Sequence, residues 1–143
     1  MSNALISGKI AVQHHFEISG NRLVVSVTGD FDVDDSVTKF ESILLFCRTS
    51  ALHQVLIDFR ALEWESFATA ELLYAFNVAG MYERYLAEGG EPLKMAYVGP
   101  SSSGTNSAPA VRVARESGMD VILTSELSEA TDWLDCDDRA VNV

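Results

Sequence analysis

The chain has 143 residues and a mass of 15.6 kDa, which favours a single domain, and 48% of its residues are hydrophobic, enough to form a core. Its 21 acidic residues against 10 basic ones give a formal net charge of −11. This charge weighs against binding to nucleic acid, which needs a basic surface, and against docking on anionic lipid heads.

The N-terminus and the cysteines favour a reducing compartment. The first residues lack a basic start followed by a long apolar run, so no signal peptide is expected. No apolar stretch approaches the ~18 residues that span a bilayer. Cys47 lies in an apolar run and Cys136 in an acidic tail, and neither belongs to a CxxC pair. Two free thiols in a cytoplasmic protein without a membrane span are therefore predicted.

The amino-terminal half predicts a hairpin, a helix and a buried strand. Residues 14–18 and 22–28 read as strands on either side of the turn signal at Gly20. Apolar residues then recur at helical spacing over 34–49, behind aspartates that suit the start of a helix. Residues 54–59 form a nearly continuous apolar run, which is typical of a central strand covered on both faces.

The second half alternates helices and strands. The second helix begins near Ser66 or Thr69, carries its apolar residues on a wide face that includes Leu73 and Phe76, and stops at Gly89. The remaining elements are a strand over 93–98, a helix over 108–117, a strand over 120–124 and a last helix capped by Ser125.

The order of elements is thus ββαβαβαβα. It predicts an α/β fold with a mixed, mostly parallel five-stranded sheet and four helices, because strand–helix alternation requires parallel pairing. Residues 1–143 are expected to form one domain with an ordered core over about 12–135 and an acidic tail over 136–143.

Three short patterns on this order are similar to the STAS domain (sulfate transporter and anti-sigma factor antagonist). Residues 29–32 (GDFD) resemble its Gly-x-Leu-Asp segment, and residues 55–59 (VLIDF) resemble its buried third strand. Residues 130–134 (ATDWL) resemble the last helix of a branch related to the sporulation anti-anti-sigma factor. The resemblance implies a STAS-like fold and a non-catalytic regulatory role in protein binding.

The segment that carries the phosphoacceptor in regulatory STAS domains differs in this chain. Those domains have Asp-Ser-Ser/Thr-Gly at the start of the second helix, whereas this chain has Ser66, Phe67, Ala68 and Thr69 in an ungapped comparison. A one-residue gap places Glu65 and Ser66 at the Asp-Ser pair, and neither alignment restores the glycine. The motif is therefore degenerate, with Ser66 and then Thr69 as candidate phosphoacceptors and helix capping as the competing interpretation.

The resemblance also implies the partners. The loop of Glu63, Trp64, Glu65, Ser66 and Phe67, together with the second helix, is expected to dock against a protein, either a serine kinase or anti-sigma factor-like protein or a second copy in a homodimer. Two fixed carboxylates would make this loop permanently acidic, and negative charge favours a basic partner.

Two features point to an alternative, small-molecule or lipid binding along the apolar face of the second helix. Tyr74, Phe76, Met81, Tyr82 and Tyr85 would line a pocket between this helix and the sheet, although such a stripe is more often core. They cannot all face inward, and an exposed aromatic patch marks an interface more often than an enzyme site. Ahead of the third helix, the loop with Ser101, Ser102, Ser103 and Gly104 is a candidate anion or ligand loop, although it lacks the lysine of a P-loop.

No metal, cofactor or catalytic group is expected. His14 and His15 are neighbours and point to opposite faces of a strand. The acids at Asp30, Asp32 and Asp34 imitate a calcium loop, but Asp35 stands where that loop requires glycine. No Gly-x-Ser-x-Gly elbow occurs in the sequence.

Overall fold

A computed structural model describes residues 11–63, 67–99 and 108–136. The elements follow the predicted order ββαβαβαβα, and the α/β fold is confirmed. The strands are β1 Gln13–Ser19, β2 Arg22–Asp30, β3 Gln54–Glu63, β4 Lys94–Val98 and β5 Asp120–Thr124. The helices are α1 Val33–Ser50, α2 Phe67–Ala87, α3 Pro109–Glu116 and α4 Leu127–Asp135.

The five strands form one mixed sheet in the order β1-β2-β3-β4-β5. β1 and β2 pair antiparallel as a hairpin, and the pairs β2–β3, β3–β4 and β4–β5 are parallel. The strands β2 to β5 therefore all start at the same end of the sheet, which we call the amino end. They all finish at the opposite end, which we call the carboxyl end. The carboxyl end is where open α/β sheets usually bind ligands and partners.

β3 is longer than predicted. The sequence places its end at Phe59, but the strand continues to Glu63 because residues 61–63 pair with residues 28–30 of β2. A bulge allows this continuation: β3 has one residue more than β2 between two paired positions. Asp58 stabilises the bulge, since its carboxylate accepts bonds from the backbone N–H and the guanidinium of Arg60.

The sheet is covered unequally on its two faces. α1 packs against α2 and α2 against α3 on one face, while α4 packs against β3, β4 and β5 on the other. Alternate residues of the central strand serve the two layers, as the pleat requires. Val55 and Ile57 belong to the larger core under the three helices, and Leu56 belongs to the smaller core under α4.

The start of α1 follows the sequence prediction. Asp32 is the N-cap, and its carboxylate accepts a bond of 3.2 Å from the backbone N–H of Asp35. Buried Phe40, Ile43 and Cys47 then recur at helical spacing on the face that meets the sheet. The aspartates at this turn thus have a structural role at the helix start.

The start of α4 differs from the prediction. Glu126, not Ser125, is the N-cap, and its side chain makes no capping bond. Instead, the hydroxyl of Thr124 accepts a bond of 3.1 Å from the Glu126 backbone N–H. The predicted inward face of this helix is confirmed, since Ala130 and Leu134 are fully buried.

The end of α4 is fastened to the amino end of the sheet by side chains from three strands. Buried Gln54 accepts two bonds from the Arg22 guanidinium and donates one of 2.7 Å to the Leu134 carbonyl. Arg22 also pairs with Asp135 at 2.6 Å. The Lys94 ammonium donates to the Trp133 carbonyl in the last turn and to the Cys136 carbonyl directly after it. These donors satisfy carbonyls that a helix leaves without partners at its end.

Within the described ranges, no helix is long and apolar enough to cross a membrane. The single-domain boundaries stay a prediction, and residues 137–143 of the acidic tail lie outside the described residues.

Candidate functional site

The predicted partner-binding loop lies at the carboxyl end of the sheet, between β3 and α2. The sequence assigns Glu63 and Phe67 to this loop. In the structure Glu63 is the last residue of β3 and Phe67 is the first residue of α2, so both belong to the flanking elements. Trp64, Glu65 and Ser66 lie outside the described residues. Thr69 is exposed on the first turn of α2.

The predicted anion or ligand loop, with Ser101, Ser102, Ser103 and Gly104, also lies outside the described residues. The strands that precede the two loops, β3 and β4, are parallel neighbours. The expectation that both loops follow the same end of the sheet therefore agrees with the order and direction of the strands.

The buried face of α2 differs from the predicted one. The sequence places Leu73 and Phe76 on the same wide apolar face as Tyr82, but these two side chains are 51% and 58% exposed, whereas Tyr82 is buried. The inward face is made by Tyr74, Val78 and Tyr82. The error has a physical cause: α2 is apolar on most of its circumference, so its spacing alone does not select one face.

Thr69, Leu73 and Phe76 lie on one exposed stripe of α2. Their spacing of four and then three residues brings side chains together on a helix surface. The stripe starts at the junction with β3, next to the predicted partner loop. A contiguous apolar pair at this position offers a contact surface to another protein.

Four aromatic rings, one from α2 and three from the sheet side, pack together, and we call them the aromatic cluster. Neighbouring ring centroids are 5.6–6.2 Å apart, at edge-on or tilted angles. The cluster consists of Phe31 after β2, Phe59 on β3, Tyr74 on α2 and Tyr97 on β4.

The two tyrosines of the cluster share a buried hydrogen bond. Their hydroxyl oxygens are 2.9 Å apart. Burial raises the pKa of Tyr74 and the pKa of Tyr97 far above the ordinary value, so both are neutral at physiological pH. The pair is a satisfied polar contact within an apolar layer.

A cavity of about 60 Å³ adjoins the aromatic cluster between α2, α3 and the sheet. All four rings of the cluster line it, together with apolar side chains such as Val78 and Met119. Glu71 of α2 also lines it, and the Oε2 atom of this carboxyl is buried without a hydrogen-bond partner among the described residues. Burial raises the pKa of Glu71 above its ordinary value.

Sequence reasoning did not single out Glu71, although a signal for it exists. Glu71 precedes Tyr74 and Ala75 by three and four residues, so it shares their inward face. An acid on the inward face of a largely apolar helix is unusual. That face becomes known only when α2 is packed against the sheet.

The remaining candidate residues act as structural or surface groups. His14 is partly buried and His15 is exposed, on opposite faces of β1 as predicted. No cluster of metal-ligating side chains occurs among the described residues. Both cysteines are free thiols as expected, and burial raises the pKa of Cys47 to about 11, which disfavours the reactive thiolate.

Comparison with known proteins supports the fold. No family model and no curated protein matches the sequence. The structure is similar to that of an anti-sigma factor antagonist from Mycobacterium paratuberculosis, with a TM-score of 0.51, 18% identity, and coverage of 87% of this chain and 95% of that chain. It also matches the anti-sigma factor antagonist SpoIIAA in its unphosphorylated form, with a TM-score of 0.46, 18% identity, and coverage of 86% and 96%. The first similarity confirms the expected STAS-type fold.

Proposed function

We propose that the chain is a non-catalytic regulatory domain that acts by binding another protein. Two observations support this function. The similar structure from Mycobacterium paratuberculosis is that of an anti-sigma factor antagonist. The observation that carries the proposal is the exposed pair Leu73 and Phe76 in the first half of α2. The cytoplasm, predicted from the sequence, is the compartment that such a role requires.

The proposed docking surface is the exposed stripe of α2 together with the segment that precedes it. Aromatic side chains contribute strongly when an interface buries them, and Phe76 is the large aromatic residue of this stripe. Glu63 and Glu65 lie in or beside the preceding segment, in a chain of net charge −11. Apolar anchors beside acidic groups fit a partner with an apolar groove and a basic rim, such as an anti-sigma factor-like serine kinase.

Regulation by phosphorylation is a secondary part of this proposal. Thr69 is exposed on the first turn of α2, where a kinase can reach it and where free backbone N–H groups favour a phosphate. Ser66, the first candidate from the sequence, stays a prediction. Because Glu63 and Glu65 already give this segment negative charge, we expect binding to occur without phosphorylation.

The test is a binding measurement with the purified chain and the anti-sigma factors and serine kinases of its own organism. We expect one of them to bind, and the double variant Leu73→Ser/Phe76→Ser to weaken binding by about a hundredfold, because both apolar anchors are lost. Reversal of both acids, Glu63→Lys/Glu65→Lys, should weaken binding about tenfold, mostly by slowing association.

Leu45 of α1 provides the matched control, since its side chain is 62% exposed on another helix. Leu45→Ser should leave affinity unchanged. Analytical ultracentrifugation distinguishes the homodimer: a dimer dissociated by the α2 variant and not by Leu45→Ser identifies a second copy as the partner. A monomer that binds none of these proteins, or equal losses from both helices, would overturn the proposed surface.

A second candidate function, ligand binding, is favoured by the cavity beside the aromatic cluster. α2 contributes Glu71, Tyr74, Ala75 and Val78 to its lining, in line with the alternative raised by the sequence. On the same volume scale one water needs about 10–15 Å³, so about 60 Å³ fits a small organic group better than a lipid chain. Native mass spectrometry of the purified chain tests this function directly.

A further inference from the structure

The cavity combines an apolar lining with one polar group that lacks a partner. Its walls come from four strands or strand ends and two helices, and they consist of aromatic rings and aliphatic side chains apart from Glu71. A group that enters this space therefore meets an apolar surface on most sides. The polar part of any ligand has to be matched to the Glu71 carboxyl.

The Glu71 carboxyl requires a hydrogen-bond donor. Its Oε2 atom is buried and makes no hydrogen bond among the described residues. Buried polar atoms without partners cost free energy and are few in native proteins. Tyr74 and Tyr97 also line this cavity. Their hydroxyl groups bond to each other at 2.9 Å, and neither bonds to Oε2 of Glu71.

The surrounding rings favour a cation over a neutral donor. The faces of aromatic rings carry negative electrostatic potential and attract ammonium groups. An ionised carboxylate beside the rings adds a full negative charge, and the net charge of −11 attracts cations to the chain from a distance. An anionic ligand would meet repulsion from each of these sources.

From this juxtaposition we propose that the cavity binds a small primary amine on a short apolar or aromatic body, with its ammonium group donating to Glu71. The inference rests on the second candidate function, ligand binding, and adds the chemical class of the ligand. The volume limits the body to about one small ring or a short branched chain. The apolar walls and the aromatic cluster surround that body, and the ammonium group supplies the donor that Oε2 lacks.

The test compares three ring compounds of similar size: benzylamine, neutral benzyl alcohol and anionic benzoate. Binding is followed by titration calorimetry and by NMR shifts of the methyl groups of Val78 and Met119. We expect benzylamine to bind at least about tenfold more tightly than benzyl alcohol, and benzoate not to bind. Glu71→Gln should remove this preference by lowering the affinity for benzylamine.

Glu83→Gln provides the matched control, because Glu83 is an exposed glutamate of the same helix. It should leave the preference for the amine intact. Equal binding of benzylamine and benzyl alcohol would overturn the amine class and leave ligand binding standing. If none of the three compounds shifts the cavity signals, ligand binding at this cavity fails as well. Circular dichroism of each variant establishes that it is folded.

Discussion

Two groups of polar side chains, one at each end of the sheet, differ in how they are satisfied. At the amino end, Arg22, Gln54 and Lys94 all have hydrogen-bond partners, and together they fasten the last turn of α4. At the carboxyl end, the buried Oε2 atom of Glu71 has none among the described residues, and a cavity adjoins it.

This difference indicates that the two groups have different roles. A side chain whose polar atoms are all used within the chain contributes to stability and has little left for a ligand. A buried acceptor left open costs stability, and such groups concentrate at functional sites. The group of Arg22, Gln54 and Lys94 is therefore structural, and the carboxyl end, with Glu71 and its cavity, is where we place function.

The largest expected effect is at the amino end, on Gln54. Gln54→Ala removes the acceptor of two Arg22 bonds and the donor to the Leu134 carbonyl, all at a buried position. We expect the free energy of unfolding to fall by about 2–3 kcal/mol, because a bond to a charged group is lost and a helix-end carbonyl is left without a partner. Urea denaturation measures this loss.

Gln13 of β1 is an exposed glutamine that serves as the control for Gln54. Gln13→Ala should change the free energy of unfolding by less than about 0.5 kcal/mol. Equal effects of the two substitutions would contradict the assignment of the amino end as a structural anchor.

The sequence predicts the hairpin, the order of elements and the start of α1, because these depend on local signals. Asp32 caps its helix through a residue three positions away, and such a contact is visible in the sequence. The anchor of Gln54 on Leu134 joins residues 80 positions apart, so no local pattern indicates it. The extension of β3 likewise depends on a bulge set by its pairing with β2.

The candidate site is predicted less completely than the fold, for a similar reason. Thr69 and the start of α2 follow from short motifs, whereas Glu71 acquires its burial from α3 and the sheet. The sequence does not select Leu73 and Phe76 as exposed residues of α2, because a helix apolar on most sides is oriented by its neighbours and not by its own pattern.

The next largest effect is expected in the tyrosine pair beside the cavity. Tyr74→Phe or Tyr97→Phe should each lower the free energy of unfolding by about 1–2 kcal/mol, since each leaves the other hydroxyl buried without its partner. The double variant should lose less than the sum of the two, with a coupling free energy of about 1 kcal/mol in a double-mutant cycle. Strictly additive losses would show that the two hydroxyl groups do not stabilise each other.

A smaller loss is expected from Lys94. Lys94→Met keeps an apolar stem but removes the donor to the Trp133 and Cys136 carbonyls and the ammonium that lies 4.5 Å from the Trp133 ring centre. We expect a loss of about 1 kcal/mol and a changed Trp133 emission, measured in a Trp64→Phe background. Arg112→Met, at an exposed position of α3, should leave both readouts unchanged.

The smallest expected effect, of opposite sign, is at Glu71. Glu71→Leu should raise the free energy of unfolding at neutral pH by about 0.5–1 kcal/mol, because it removes a buried acceptor without a partner.

The same carboxyl makes stability depend on pH. Burial raises the pKa of Glu71 above its ordinary value of 4.5, so between these two pKa values the folded chain holds the proton more tightly than the unfolded chain. The wild-type chain should therefore lose stability relative to Glu71→Leu as pH rises from about 4.5 through the raised pKa, and the difference should level off above it. Tyr74 and Tyr97, the other titratable groups that line the cavity, stay neutral over this range because their pKa values are raised.

Urea denaturation at a series of pH values measures the difference in stability between wild type and Glu71→Leu, with Glu83→Leu as the exposed control. A Glu71 variant that is less stable than wild type at neutral pH would mean that the carboxyl is satisfied within the chain, and the contrast between the two groups of side chains would be lost.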